Sequence, residues 1–224
     1  MNGTAKRSVV SVQFAVRISF WRSALPITSI RKETVNVAEI SLSGAPILGD
    51  VHHDFGACIL AERTDIALIS VAIPKDGRKA LSDKLKELWE LSVPSAMETR
   101  HTNKIRAIPM TVDQFMLAFS SDGTMSETDA QESLADVGYT TLQTDAWVIL
   151  ELKGSGAITA LERICPIDLD QSAFPIGSAA RTSMEHLGAC IVRLEADQFW
   201  LMSARSSAQS FYHAVETSCR WTAS

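Results

Sequence analysis

The chain has 224 residues and a formal net charge of −5, with 46% hydrophobic and 21% charged residues. A chain of this length can bury roughly 70% of its unfolded surface, so neither disulfides nor a metal is needed to hold it, and the composition excludes intrinsic disorder. The charge is uneven: Lys6, Arg7, Arg17, Arg22, Arg31 and Lys32 face Glu33 alone within residues 1–34, a net +5 that leaves −10 for the rest. A body that negative repels a phosphate backbone, so nucleic acid is not an expected partner.

Residues 1–34 contain apolar runs broken by Arg17 and Arg22, which fits neither a secretory core nor a membrane span. The segment is acid-poor and Arg-rich, as a mitochondrial presequence is, and a competing reading puts the true start near Val35. On either reading these residues are expected to lie outside a single globular domain spanning about 40–220. No other stretch approaches 18 uninterrupted apolar residues, so a membrane is not an expected partner either.

FGACILAERTDIALISVAI (55–73) holds two apolar runs separated by ERTD, the pattern of a hairpin. In residues 75–94, Leu81, Leu85, Leu88 and Trp89 fall on one helical stripe, and Pro94 is the expected stop. IRAIPMTVDQFMLAFSSDG (105–123) reads as two strands around a Thr111–Gln114 turn, with Pro109 marking an edge or a bulge. A short acidic helix follows over 126–138, with Ser126 as N-cap and Gly138 just past its end.

The plan then repeats. TDAWVILELKG (144–154) predicts a strand and SGAITALERI (155–164) a helix capped by Ser155, with Ile158, Leu161 and Ile164 on one face. SAARTSMEH, ACIVRLE and QFWLMSA predict three strands in hairpin succession, the first connection at His186-Leu187-Gly188, and residues 206–219 a closing helix. The class is α+β: two split β-α-β (ferredoxin-like) halves, about 42–122 and 139–219, packed together.

Five features invite a chemical reading. In KGSGA (153–157) the third position of a dinucleotide-binding glycine fingerprint is Thr159, so a tight strand-to-helix turn is expected instead. His52 and His53 are adjacent, and on a strand their side chains leave on opposite faces, which disfavours a shared metal. His186 and His213 lack a sharp strand–turn–helix serine to activate and are expected at the surface or in a hairpin. Cys58, Cys165, Cys190 and Cys219 are scattered among apolar residues, as buried free thiols of a reducing cytosol are, and a cytoplasmic location is expected.

The fifth feature is LERICPIDLDQSAF (161–174), where Cys165, Asp168 and Asp170 gather within six positions. Catalysis by the carboxylates would need an apolar or like-charged setting to raise their pKa. Local chemistry favours a different role. Pro166 ends the preceding helix at Cys165, and Asp170 caps the short turn QSAF.

Residues 145–217 closely resemble the gamma subunit of heterotetrameric sarcosine oxidases, and 42–122 do so loosely. The resemblance rests on Gly154, Ala157, Leu161, Cys165-Pro166-Ile167-Asp168-Leu169, Phe174-Pro175 and Gly177, followed by an RT segment, a hairpin and a closing helix. Around IRAIPMTVDQFMLAF the family usually carries a W-L-G-P-D-E-W-L segment. Ile108 and Phe115 stand in for both tryptophans, and Asp113 persists.

The resemblance implies a fold like the folate-binding domain of the glycine-cleavage aminomethyltransferase. It also implies alpha, beta and delta partner subunits. FAD, covalent FMN, NAD, tetrahydrofolate and zinc would lie on those subunits, with no cofactor, metal or catalytic residue in this chain. The signature residues would then serve folding and assembly of an oxidase that demethylates sarcosine. Two alternatives remain open: a stand-alone folate-dependent one-carbon transferase, and a subunit of a related dehydrogenase acting on N-methylglutamate or proline.

Overall fold

Apolar runs buried on both faces make the central strands, and 3.6-residue stripes make the helices. The computed structural model describes residues 45–123 and 125–222, and the expectation for residues 1–34 lies outside them. The elements are β1 (His52–Asp54), β2 (Ile59–Glu62), β3 (Ile66–Ala72), α1 (Arg78–Trp89), β4 (Arg100–His101), β5 (Ile105–Pro109), β6 (Gln114–Ser120), α2 (Glu127–Leu134) and β7 (Tyr139–Leu142). Then come β8 (Trp147–Lys153), α3 (Ala157–Glu162), β9 (Ala179–Met184), β10 (Leu187–Glu195), β11 (Gln198–Ala204) and α4 (Ala208–Thr222).

The first sheet runs β4-β5-β6-β3-β7 and the second β1-β2-β8-β11-β10-β9, with every neighbouring pair antiparallel. With α1 and α2, strands β3, β5, β6 and β7 make a βαββαβ unit of spatial order β5-β6-β3-β7, which is ferredoxin-like. In the second half β8, α3, β10, β11 and α4 repeat the order, with no strand after α4 among the described residues. The missing fourth strand is β2, which pairs with β8 through Ile59–Lys153 and Glu62–Leu150.

This changes the expected hairpin at 55–73. ACILA and IALISVAI do not pair: β2 joins one sheet and β3 the other, and Arg63–Asp65 carries the chain across. The contiguous half therefore runs from β3 to β7, and the residues before Ile66 complete the other half. Arg63 secures the crossing, with Nε and Nη2 donating to the two Asp65 oxygens, both at 2.7 Å, and Nη1 donating to Glu151 at 2.6 Å.

The sheets lie face to face with helices outside, in four layers. Ile66, Leu68 and Ile108 from one sheet meet Cys190, Trp200 and Met202 from the other. The outer face of the first sheet buries Ile69, Val71 and Leu117 against Leu81 and Leu85 of α1 and Leu134 of α2. That of the second buries Leu60, Leu150 and Phe199 against Leu161 of α3 and Phe211 and Val215 of α4. Trp200 sits between two guanidinium groups, Arg63 at 5.7 Å and Arg106 at 5.9 Å from the ring centre, geometry that favours cation–π attraction.

Most local expectations hold. Ser126 makes a capping box with Asp129, and the Gly138 N–H closes α2 on Leu134 O. Others shift. A left-handed Glu90 (φ 55°) stops α1 before Pro94 is reached. Gly156 rather than Ser155 is the N-cap of α3 and makes no side-chain cap bond. The β9–β10 turn is Glu185-His186, both at positive φ (45° and 69°), which suits a two-residue hairpin.

Candidate functional site

The signature run forms one structural unit, and a residue outside it organises that unit. Gly154, at φ 122°, leads β8 into α3 with its N–H on Asp197 O at 2.9 Å. A Cβ there would lie 2.5 Å from Ala57 O, so only glycine allows β8 and the β1–β2 hairpin to approach this closely. Gly156 meets the same carbonyl, its N–H 2.9 Å from Ala57 O. The two glycines thus face the chain's own backbone, an arrangement that does not fit the cradling of a dinucleotide phosphate. Ala157 and Leu161 are buried on the inner face of α3.

Cys165 lies just past α3, its N–H still bonded to Leu161 O at 2.8 Å. Burial pushes its thiol up, against smaller opposite effects from hydrogen bonds to the Ile167 backbone and the Thr182 hydroxyl. A buried, protonated thiol is a poor nucleophile. Pro166 is exposed, while Ile167 packs on the core from a half-buried position.

Both aspartates cap turns. An Asp168 oxygen accepts the Asp170 N–H at 2.9 Å, and Asp170 Oδ1 accepts the Ser172 N–H at 2.8 Å and its hydroxyl at 2.5 Å. The Asp170 main-chain oxygen accepts Phe174 N–H at 2.8 Å and Ala173 N–H at 3.0 Å, which closes the QSAF turn. Both side chains are exposed, and the Ser172 hydrogen bonds hold the Asp170 carboxyl below its ordinary pKa. A general base acting near neutrality needs the opposite shift.

Leu169 and Phe174 are the buried anchors of the loop, and between them lies Arg193 of β10, 2% exposed. Its Nη1 donates to Leu169 O and Phe174 O, both at 2.8 Å, and Nη2 and Nε donate to Ala196 O at 2.6 and 3.2 Å. Its guanidinium carbon stands 5.3 Å from the centre of the Phe199 ring. The β10–β11 register shifts between Arg193 and Glu195.

The loop returns to Arg193 at its far end: Gly177, at φ 87°, donates its N–H to Arg193 O at 2.9 Å. Gly177 O in turn accepts from the Thr99 N–H and hydroxyl at 2.7 and 2.9 Å, which ties the loop to the first half. Exposed Pro175 lies between these anchors. Sequence reasoning passed over Arg193. The available signal was a lone cation inside the apolar run ACIVRLE.

The other candidates separate. His53 Nδ1 lies 2.6 Å from the Tyr212 hydroxyl and 3.5 Å from Glu216, which also takes Arg220 at 2.8 Å, so His53 ties β1 to α4. His52 is exposed on the same strand. Among the described residues no three His, Cys, Asp or Glu side chains are grouped to hold a metal. His213 is exposed on α4 and lines a 410 Å³ hollow with Arg163, Ile164 and Trp221. An adjoining 360 Å³ hollow holds Cys165, Pro166 and His186. The four cysteines are buried and unbridged, and burial pushes the Cys190 thiol up to about 12.

Asp113 is exposed, and its main-chain oxygen accepts Ile73 N–H at 2.8 Å. Ile108 and Phe115, which replace the family's tryptophans, are both core residues, one between the sheets and one under α1 and α2. Their identity therefore bears on packing.

Among the described residues no helix is long and apolar enough to cross a membrane. No protein-family model and no curated protein matches the sequence. Among solved structures, aminomethyltransferase T of the glycine cleavage system from Bartonella henselae gives a TM-score of 0.45 at 14% identity. It aligns 69% of this chain with 44% of that one, so the described chain spans less than half of that protein. A chain of the heterotetrameric sarcosine oxidase from Corynebacterium sp. U-96, solved with pyrrole 2-carboxylate, gives a TM-score of 0.67 at 18% identity. The alignment covers 77% of this chain and 88% of that one, so the α+β fold described here is similar to that of most of one chain of that heterotetrameric sarcosine oxidase.

Proposed function

We propose that this protein is an accessory, gamma-type subunit of a multi-chain flavin-dependent oxidase acting on sarcosine or a closely related secondary amine. The observation that carries this reading is the shared fold over 88% of a chain of a heterotetrameric sarcosine oxidase. The arrangement of the signature residues supports it. Asp168 and Asp170 cap turns of a loop that Leu169 and Phe174 fasten to Arg193, Cys165 is buried at its start, and the glycine-rich turn is filled by the backbone of Ala57.

In the proposed complex, oxidation and one-carbon transfer to tetrahydrofolate take place on the partner alpha and beta chains. Those chains and a small delta chain would carry the flavins, NAD, folate and zinc. This chain would contribute a rigid docking body, and an obligate interface of that kind buries on the order of 2,000 Å² or more.

Purification of the tagged chain from its native host tests the reading. Co-elution with flavin-bearing chains and amine-dependent oxygen consumption are expected, and recovery of the chain alone overturns it. Equilibrium dialysis of the isolated chain against tetrahydrofolate separates this subunit from a stand-alone transferase. No retention is expected, and saturable micromolar binding would favour the transferase.

A further inference from the structure

An open sheet edge is a template for another strand, so proteins shorten such edges, charge them or cover them. Three of the four edges here follow that rule. β1 has three residues and β4 two. β9 carries exposed Arg181, and its first residue donates to Met97 O at 2.9 Å.

β7 does not follow it. Among the described residues it pairs with β3 alone, its sequence is Tyr-Thr-Thr-Leu, and Tyr139 and Leu142 are 70% and 52% exposed. The Gln143 N–H donates to Leu68 O, so hydrogen-bonded pairs alternate from there through Ser70–Thr141 and Ala72–Tyr139. By that alternation Thr140 and Leu142 turn their N–H and C=O groups outward, in register for one more strand.

The stretch of chain that bears this edge carries one sign of charge. Between Arg106 and Lys153 the sequence holds eight carboxylates and no Lys, Arg or His. Several stand beside β7, because α2 lies along it: Gln131 donates to the Thr140 hydroxyl at 3.4 Å, and Glu127 bonds Thr144. Glu132 and Asp136 near the end of α2, and Asp145 just after β7, are exposed. A second copy of this chain would bring the same acids against these, so self-pairing is disfavoured.

We propose that β7 is the docking edge for a partner subunit that adds an extended, Lys- or Arg-bearing segment to the sheet by main-chain pairing with Thr140 and Leu142. This inference rests on the accessory-subunit reading and names the surface that reading requires.

Amide hydrogen exchange on the purified complex and on the isolated chain tests it. Assembly is expected to slow exchange at Thr140 and Leu142 at least tenfold. The charge-reversal variant E132K/D136K and the edge-guarding variant Leu142→Lys alter exposed side chains, and unchanged circular dichroism and melting verify their folds. Each is expected to weaken assembly at least tenfold, and the reversal variant to flatten its salt dependence.

A complex that forms with β7 exchange unchanged, or with unaltered affinity in both variants, overturns the edge assignment and leaves the subunit reading standing. Absence of any complex with the flavoprotein chains overturns both.

Discussion

Arg193 carries a full charge into the core of the second half, and the oxygens it meets there are main-chain carbonyls. A planar fork can serve Leu169, Phe174 and Ala196 at once, which a single ammonium cannot. Arg193→Lys therefore leaves buried carbonyls unpaired and is expected to cost on the order of 2–4 kcal/mol, read from urea unfolding. Cys165→Ala removes one small buried side chain, so a loss of about 1–2 kcal/mol is expected, with turnover of the proposed complex retained. Turnover lost in a correctly assembled variant would restore a catalytic role to this thiol.

Cys190 adds a pH dependence. Its thiol, ordinarily at 9.0, is pushed up to about 12 by burial, so the folded chain keeps a proton that the unfolded chain releases. The contribution is complete below pH 9.0 and is lost as the pH rises towards about 12. Tyr212, pushed from 10.0 to about 12 by burial and by Glu216, acts in the same direction. Melting temperature is expected to fall across this window, with a shallower slope in Cys190→Ala.

Among the elements, β2 has a weight out of proportion to its four residues, because it covers the edge of β8 and places Leu60 in the core beneath the helices. Leu60→Ala is expected to cost about 2–5 kcal/mol, as for an interior strand of the second half. A loss under about 1 kcal/mol would mean that β2 is peripheral.

Most elements were legible in the sequence because a strand or helix announces itself by its own period, as in Leu81 and Leu85 or in the Ser126 capping box. The partner of β2 was not. A short polar link between two apolar runs is also what a hairpin looks like, and the pairing that decides otherwise lies about ninety residues away, beyond local pattern. Ser155 misled for a related reason: the cap position is set by the approach of Ala57 to Gly156, a contact between distant segments. The capping of Asp168 and Asp170 was visible because it is local, whereas the hold of Arg193 on Leu169 and Phe174 was hidden because it is not.

At the scale of the molecule, the two sheets share one interior. Met116 and Ala118 of one sheet share a buried cluster with Ile149 and Val192 of the other, and Thr99 bonds Gly177 across the halves. Neither half can keep its inner face dry alone, so a single cooperative transition is expected. Tryptophan fluorescence and far-ultraviolet circular dichroism should give coincident urea curves. A resolved intermediate with one half intact would show that the shared interior is dispensable.

The crossing of β2 also sets a schedule for synthesis. The chain makes this strand early, yet the strand it must pair with follows roughly 90 residues later, a delay of roughly 5–20 s at ordinary translation rates of about 5–20 residues per second. During that interval β3 to β7 can close on themselves, while the β1–β2 hairpin waits with an apolar face uncovered. Among the described strands the first to emerge are thus among the last to find their place, and anything that shields them in the meantime sets the yield of folded protein.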